Sequence, residues 1–199
     1  MDMRHKSTSR PCTWTIALIA SAGVVLGIAP ASATNFSGSS GRTGCANGSP
    51  VNKADNKDHS FFYENLTEPV DAAQTYTRTK VYDPTVIATR RSSRLTDTTD
   101  VVVGDRDYDD YCGYPWHPSG VVGLTTCNSL NAADECEKHS IRYDISYFDS
   151  ASTSDRRGAA CHETGHSLGL THRGGGCMSG VGPVPTTLSS HDETHLGSV

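Results

Sequence analysis

Apolar and polar residues alternate most cleanly at Ile141, Tyr143, Ile145 and Tyr147, which predicts a strand over 140–148. His59 to Asn65 reads as another strand, and Val86 to Arg90, Val101 to Val103 and Val121 to Thr126 as three shorter ones. Glu68-Pro69 opens a helix, with Pro69 near its first position. That helix runs through Asp71 to Lys80 and stops before Asp83-Pro84. A second helix covers Asp155 to Leu168, with Ser154 as its N-cap. The predicted order is strand, helix, three strands, a further strand and a helix, and the expected class is α+β.

The first third of the chain has a different pattern. Arg4, His5, Lys6 and Arg10 precede an apolar run from Thr13 to Ile28, and Ala31-Ser32-Ala33 follows it. This predicts a secretory signal peptide over residues 1–33, cut after Ala33. The run is short for a membrane span, and Cys12 precedes it, so Cys12 is no lipid-bearing cysteine. Residues 34–58 are rich in Gly, Ser, Asn and Lys and read as a loose N-terminal segment. A catalytic domain is expected over 59–199.

Composition narrows the partners. Without residues 1–33, the 199-residue chain keeps 166 residues, enough for one domain. That part has 14 basic and 21 acidic residues, a net charge of about −7. An acidic surface argues against nucleic acid or anionic membrane as partner. An exported monomer is expected. Six cysteines lie beyond the signal peptide, namely Cys45, Cys112, Cys127, Cys136, Cys161 and Cys177. An even number in an exported domain reads as three disulfides, with 15 possible connectivities. Cys161 and Cys177 flank the most informative stretch, so a bridge between them is one of the possibilities.

That stretch is His162-Glu-Thr-Gly-His166-Ser-Leu-Gly169-Leu-Thr-His172. On a helix, His162 and His166 lie on one face, one turn apart, and both rings can reach one metal. Glu163 then points beside the metal, the place for a base rather than a ligand. Gly169 can take the left-handed conformation that ends a helix, letting the chain swing His172 back. Three neutral histidines leave a fourth position open, as a catalytic zinc site needs. Glu163 would take a proton from the attacking water and later pass it to the leaving amine.

The signature H-E-x-x-H-x-x-G-x-x-H resembles that of the metzincin metallopeptidases. The resemblance implies zinc held by His162, His166 and His172, with Glu163 as general base. It also implies a methionine turn beneath the site, for which Met178 is the candidate. No tyrosine follows Met178, so the extra tyrosine ligand of some metzincins has no counterpart. Matrixin-like members fit best. They imply a twisted mixed sheet with an antiparallel edge strand lining the cleft, an active-site helix, and a short last helix over Leu188 to Gly197. The interval from His172 to Met178 is shorter than in matrixins, and no cysteine-switch prosegment is recognisable. The Gly-rich Met-Ser-Gly turn is also similar to that of snapalysin-like secreted peptidases, which place Asp where this chain has His172.

The leading expectation is a secreted zinc endopeptidase with a peptide or protein substrate. A zinc amidase acting on cell-wall peptides and a non-catalytic binding module on the same fold are the alternatives. Other features carry less. Asp105 to Asp110 has carboxylates at alternate positions that suit calcium, but it lacks the EF-hand glycine and terminal glutamate. His117 and His139 have no motif partner for a second metal. His191 and His195, four apart, have no adjoining base or third ligand and read as surface histidines.

Overall fold

The computed structural model describes residues 52–199, except 109, 112–113, 117–119, 173–174 and 181–183. The expected signal peptide, Cys45, Cys112 and His117 lie outside the described residues.

The architecture is mixed α/β, built on a five-stranded sheet of order β2-β1-β3-β7-β6. Its strands are β1 (Asp58–Glu64), β2 (Ala88–Ser92), β3 (Val101–Arg106), β6 (Gly123–Leu130) and β7 (Cys136–Asp144). Strands β4 (Asp110–Tyr111) and β5 (Tyr114–Pro115) form a separate two-stranded hairpin. The β1–β2, β1–β3 and β3–β7 pairs are parallel, and β6 runs antiparallel to β7 at the sheet edge. The expected antiparallel edge strand is therefore present.

Registry across the sheet follows the apolar alternation. Phe61 pairs with Val101, and Tyr63 with Val103, which in turn pairs with Ile141. These side chains form one buried cluster with Val70 and Ala73 of α1 (Glu68–Tyr76) and with Ala159 and Ala160 of α3 (Thr153–Ser167). Alanines on that face let the helix approach the sheet closely. Pro69 sits in the first turn of α1, as expected. A π-helical segment, Thr77–Tyr82, continues α1 and carries Val81 and Tyr82 into a second cluster. That cluster also holds Leu168, Leu170, Cys177, Met178 and Leu196. The two clusters meet at α3, so both fix where it lies.

Several boundaries differ from the sequence expectation, including the strands expected at 59–65, 101–103 and 121–126, which are Asp58–Glu64, Val101–Arg106 and Gly123–Leu130. The strand expected over 140–148 is Cys136–Asp144, and Ile145–Ser150 forms a helix, α2. Asp144 ends the alternation because its carboxylate accepts the Ser146 N–H and caps α2. The next helix begins at Thr153, with Ser152 rather than Ser154 as N-cap. Ser152 Oγ accepts from Asp155 N and donates to the Asp155 carboxylate, so the acidic residue three places on selects that serine. The strand expected at Val86 to Arg90 is shifted to Ala88–Ser92. The last helix, α4 (Ser190–Leu196), opens on a full capping box between Ser189 and Asp192. Within the segment expected to be loose, Ala54 is fully buried and bridges to Cys136.

Two histidines outside the His162–His172 stretch are fully buried. His59 Nε2 meets the Ser167 carbonyl at 3.2 Å, and His139 Nε2 meets the Asn52 carbonyl at 3.3 Å. Burial, opposed by Asp100, lowers the His59 pKa to about 4. Burial, aided by the nearby His59 charge, lowers that of His139 to about 3. An unfolded histidine titrates near 6.5, so below that pH the unfolded chain binds protons that the folded chain refuses. Stability therefore falls as pH drops from about 6.5 towards 4, at about 1.4 kcal/mol per pH unit for each histidine. Urea unfolding should show that slope, reduced by about one proton's worth in His139→Gln. An unchanged slope in that variant would contradict the assignment.

Candidate metal centre

Helix α3 carries His162, Glu163 and His166 on its last turns. It stops where the sequence reading placed the stop. Gly169 has φ 91°, its N–H donates to the His166 carbonyl at 2.9 Å, and Leu170 N–H donates to the Gly165 carbonyl at 3.0 Å. This pair of bonds is a Schellman closure, and it reverses the chain towards His172.

The three imidazoles converge. Nε2 of His162 lies 3.0 Å from Nε2 of His172 and 3.1 Å from that of His166, and His166 and His172 are also 3.1 Å apart. The other ring nitrogens decide what these contacts are. His162 Nδ1 donates to the Cys177 carbonyl and His166 Nδ1 to the Leu170 carbonyl, both at 2.7 Å. With the proton on Nδ1, each Nε2 of that pair presents a bare lone pair. Lone pairs packed this closely repel unless a cation lies between them. A tetrahedral ion with bonds of about 2.0–2.1 Å separates its ligand atoms by roughly 3.3 Å, close to the spacing here. The donor set therefore fits a metal ion.

Electrostatics favour the same state. Burial, with the charges of His162 and His172, lowers the His166 pKa to about 3. Burial also lowers His162, and burial with the His162 charge lowers His172. Each shift favours the neutral imidazole, the form that ligates. Glu163 is 5% exposed, and burial raises its carboxyl pKa to about 7 against a hydrogen bond from Thr125.

Met178, the methionine expected near the site, is fully buried beside Gly165. A Cβ on Gly165 would stand 2.2 Å from its sulfur, so the thioether fills the space that the glycine leaves between the two helical histidines. A disulfide joins Cys161 to Cys177, whose Cα atoms are 5.8 Å apart. It ties the residue before His162 to the one before Met178, and Cys177 is also the carbonyl that orients His162. A second disulfide, Cys127–Cys136, links β6 to β7.

The remaining sequence expectations are placed as follows. His139 lies near Cys127 and Cys136, but their thiols are bridged to each other and offer no thiolate. His191 and His195 stack edge to face on α4, with ring centroids 4.5 Å apart. Among the described residues they join no group of three metal-ligating side chains. Asp105 uses one carboxylate oxygen to accept from Thr67 N at 2.9 Å, holding the start of α1.

Several site residues were not readable from the motif. Tyr82 Oη donates to the Cys161 carbonyl at 2.8 Å and is fully buried. Tyr143 Oη donates to Gln74, whose amide donates to Thr164 Oγ1 beside Glu163. Gly123 and Thr125 of β6 touch Glu163. Only the glycine at 165 had a signal, as a small residue inside the helical motif.

Fold and site together define a mixed α/β protein with a three-histidine centre that can hold a metal ion. No protein-family model and no curated protein matches the chain. Among solved structures, two of myroilysin align with 60% of this chain and with 46% and 44% of their own, at 16% identity and TM-scores of 0.38 and 0.37. The chain thus spans less than half the length of these structures.

Proposed function

We propose that the chain is an exported, metzincin-like zinc endopeptidase. The observation that carries this reading is the convergence of three histidine Nε2 atoms, with Glu163 on the helix that carries His162 and His166. His162, His166 and His172 would hold the ion. Zinc bound there would polarise a carbonyl as a Lewis acid and lower the pKa of water towards neutrality.

The chain's own groups do the rest. The Cys177 and Leu170 carbonyls hold two of the rings in the ligating tautomer. Glu163 takes a proton from the attacking water and returns it to the leaving nitrogen, so the peptide bond breaks without an acyl-enzyme. Strand β6 has an open edge, and a substrate in extended form can add to it by backbone pairing. Two disulfides suit an oxidising compartment. Among the described residues, no helix is long and apolar enough to cross a membrane.

Casein hydrolysis by the purified protein should vanish with a chelator and return when zinc is restored. Hydrolysis unchanged by thorough chelation would rule the reading out.

A further inference from the structure

Strand β6 does more than present backbone at the sheet edge. Gly123 and Thr125 are two apart, so both face the same side of the strand. Glu163 packs against that side. A Cβ on Gly123 would lie 2.7 Å from Glu163 Cγ and 3.0 Å from both Cδ and Oε1. The missing side chain is therefore the space that the glutamate fills. Thr125 Oγ1 lies 2.6 Å from Glu163 Oε2 and 2.9 Å from the Glu163 carbonyl. A threonine hydroxyl has one proton to donate, and an ionised carboxylate is the stronger acceptor. Thr125 is itself 3% exposed, so water competes little for that bond.

The geometry points to Thr125 as a positioning residue for the proposed base, an inference that rests on the peptidase reading above. Its hydroxyl pins Oε2, and Gly123 leaves room for the carboxylate to lie flat against β6. The Thr125 backbone N–H also supports the carboxylate, and Oε1, the oxygen that the hydroxyl does not hold, is the one that takes the proton from water. A carboxylate free to rotate about its terminal torsion would present Oε1 in the right place only part of the time. Misplacement of a reacting group by about 1 Å can cost roughly a hundredfold in rate. The strand that receives the substrate thus also aims the base.

The test compares wild type with Thr125→Val, Thr125→Ser, Glu163→Gln and the Thr125→Val/Glu163→Gln double variant, all zinc-loaded. Valine keeps the shape and removes the proton. Thr125→Val should lower kcat about ten- to hundredfold, with KM within about twofold and one metal per chain retained. Thr125→Ser, which restores the hydroxyl, should recover kcat to within about threefold of wild type. The melting shifts of Thr125→Val and Glu163→Gln should fail to add in the double variant, because both remove parts of one interaction. Wild-type kcat in Thr125→Val, additive melting shifts, or a serine variant as slow as valine would each overturn the proposal. The melting arm reads the bond without needing activity. Full activity in Glu163→Gln would instead overturn the underlying reading.

Discussion

Glu163→Gln is expected to keep its bound metal and lose hydrolysis by a factor of at least about 10². Glutamine has the same shape, and its neutral amide oxygen accepts only a weaker bond from Thr125, which now meets Glu163 Oε2. The three nitrogens that could hold the metal belong to other residues, so the substitution leaves them in place. What disappears is a group able to take a proton, and positioned acid–base groups contribute roughly 10²–10⁴ in rate. Metal content by mass spectrometry and turnover of a fluorogenic peptide measure the two halves of this result. Retained metal with undiminished turnover would remove Glu163 from the mechanism.

Gly165→Ala has the largest expected effect on the protein itself. Helix propensity alone favours alanine over glycine inside a helix by about 1 kcal/mol. Sterics act in the opposite direction and should win. The new Cβ would stand 2.2 Å from Met178 Sδ and 3.0 Å from Tyr82 Oη, and both of those residues are fully buried. Overpacking a closed core costs about 1–3 kcal/mol, and two fully buried neighbours place this case at the upper end. A net loss of about 2 kcal/mol is expected in urea unfolding. Relief by displacing the helix would also shift His162 and His166, which flank Gly165, so metal affinity should fall with stability. A variant that unfolds at or above the wild-type midpoint would show that Met178 does not pack as described.

Much of the site was legible because its geometry is local. Helical spacing places His162 and His166 together, and Gly169 supplies the positive φ that turns His172 back. Met178 was legible as a methionine in a glycine-rich turn close behind them. The groups that were missed act across the chain. Thr125 reaches Glu163 from 38 residues away, and Tyr82 reaches the Cys161 carbonyl from 79 away. No spacing rule encodes such contacts, because sheet registry and helix packing create them. Local competition explains the misplaced boundaries. Alternation at Ile145 and Tyr147 mimics a strand, but Asp144 followed by Ser146 makes a helix cap that an apolar pattern does not register. Ser152 and Ser154 are equal as caps until Asp155 is counted as the reciprocal partner. The Cys161–Cys177 bridge was one open pairing, suggested by its place around the motif, whereas Cys127–Cys136 had no comparable signal.

A peptide-library digest reads metal-dependent cleavage within peptides. Wild-type protein, chelated protein and chelated protein with zinc restored are each incubated with the library, and new termini are identified by mass spectrometry. The account predicts internal cuts with wild type, none after chelation, and the same cuts when zinc returns. No internal cuts with zinc-loaded protein, or identical cuts in all three digests, would contradict it.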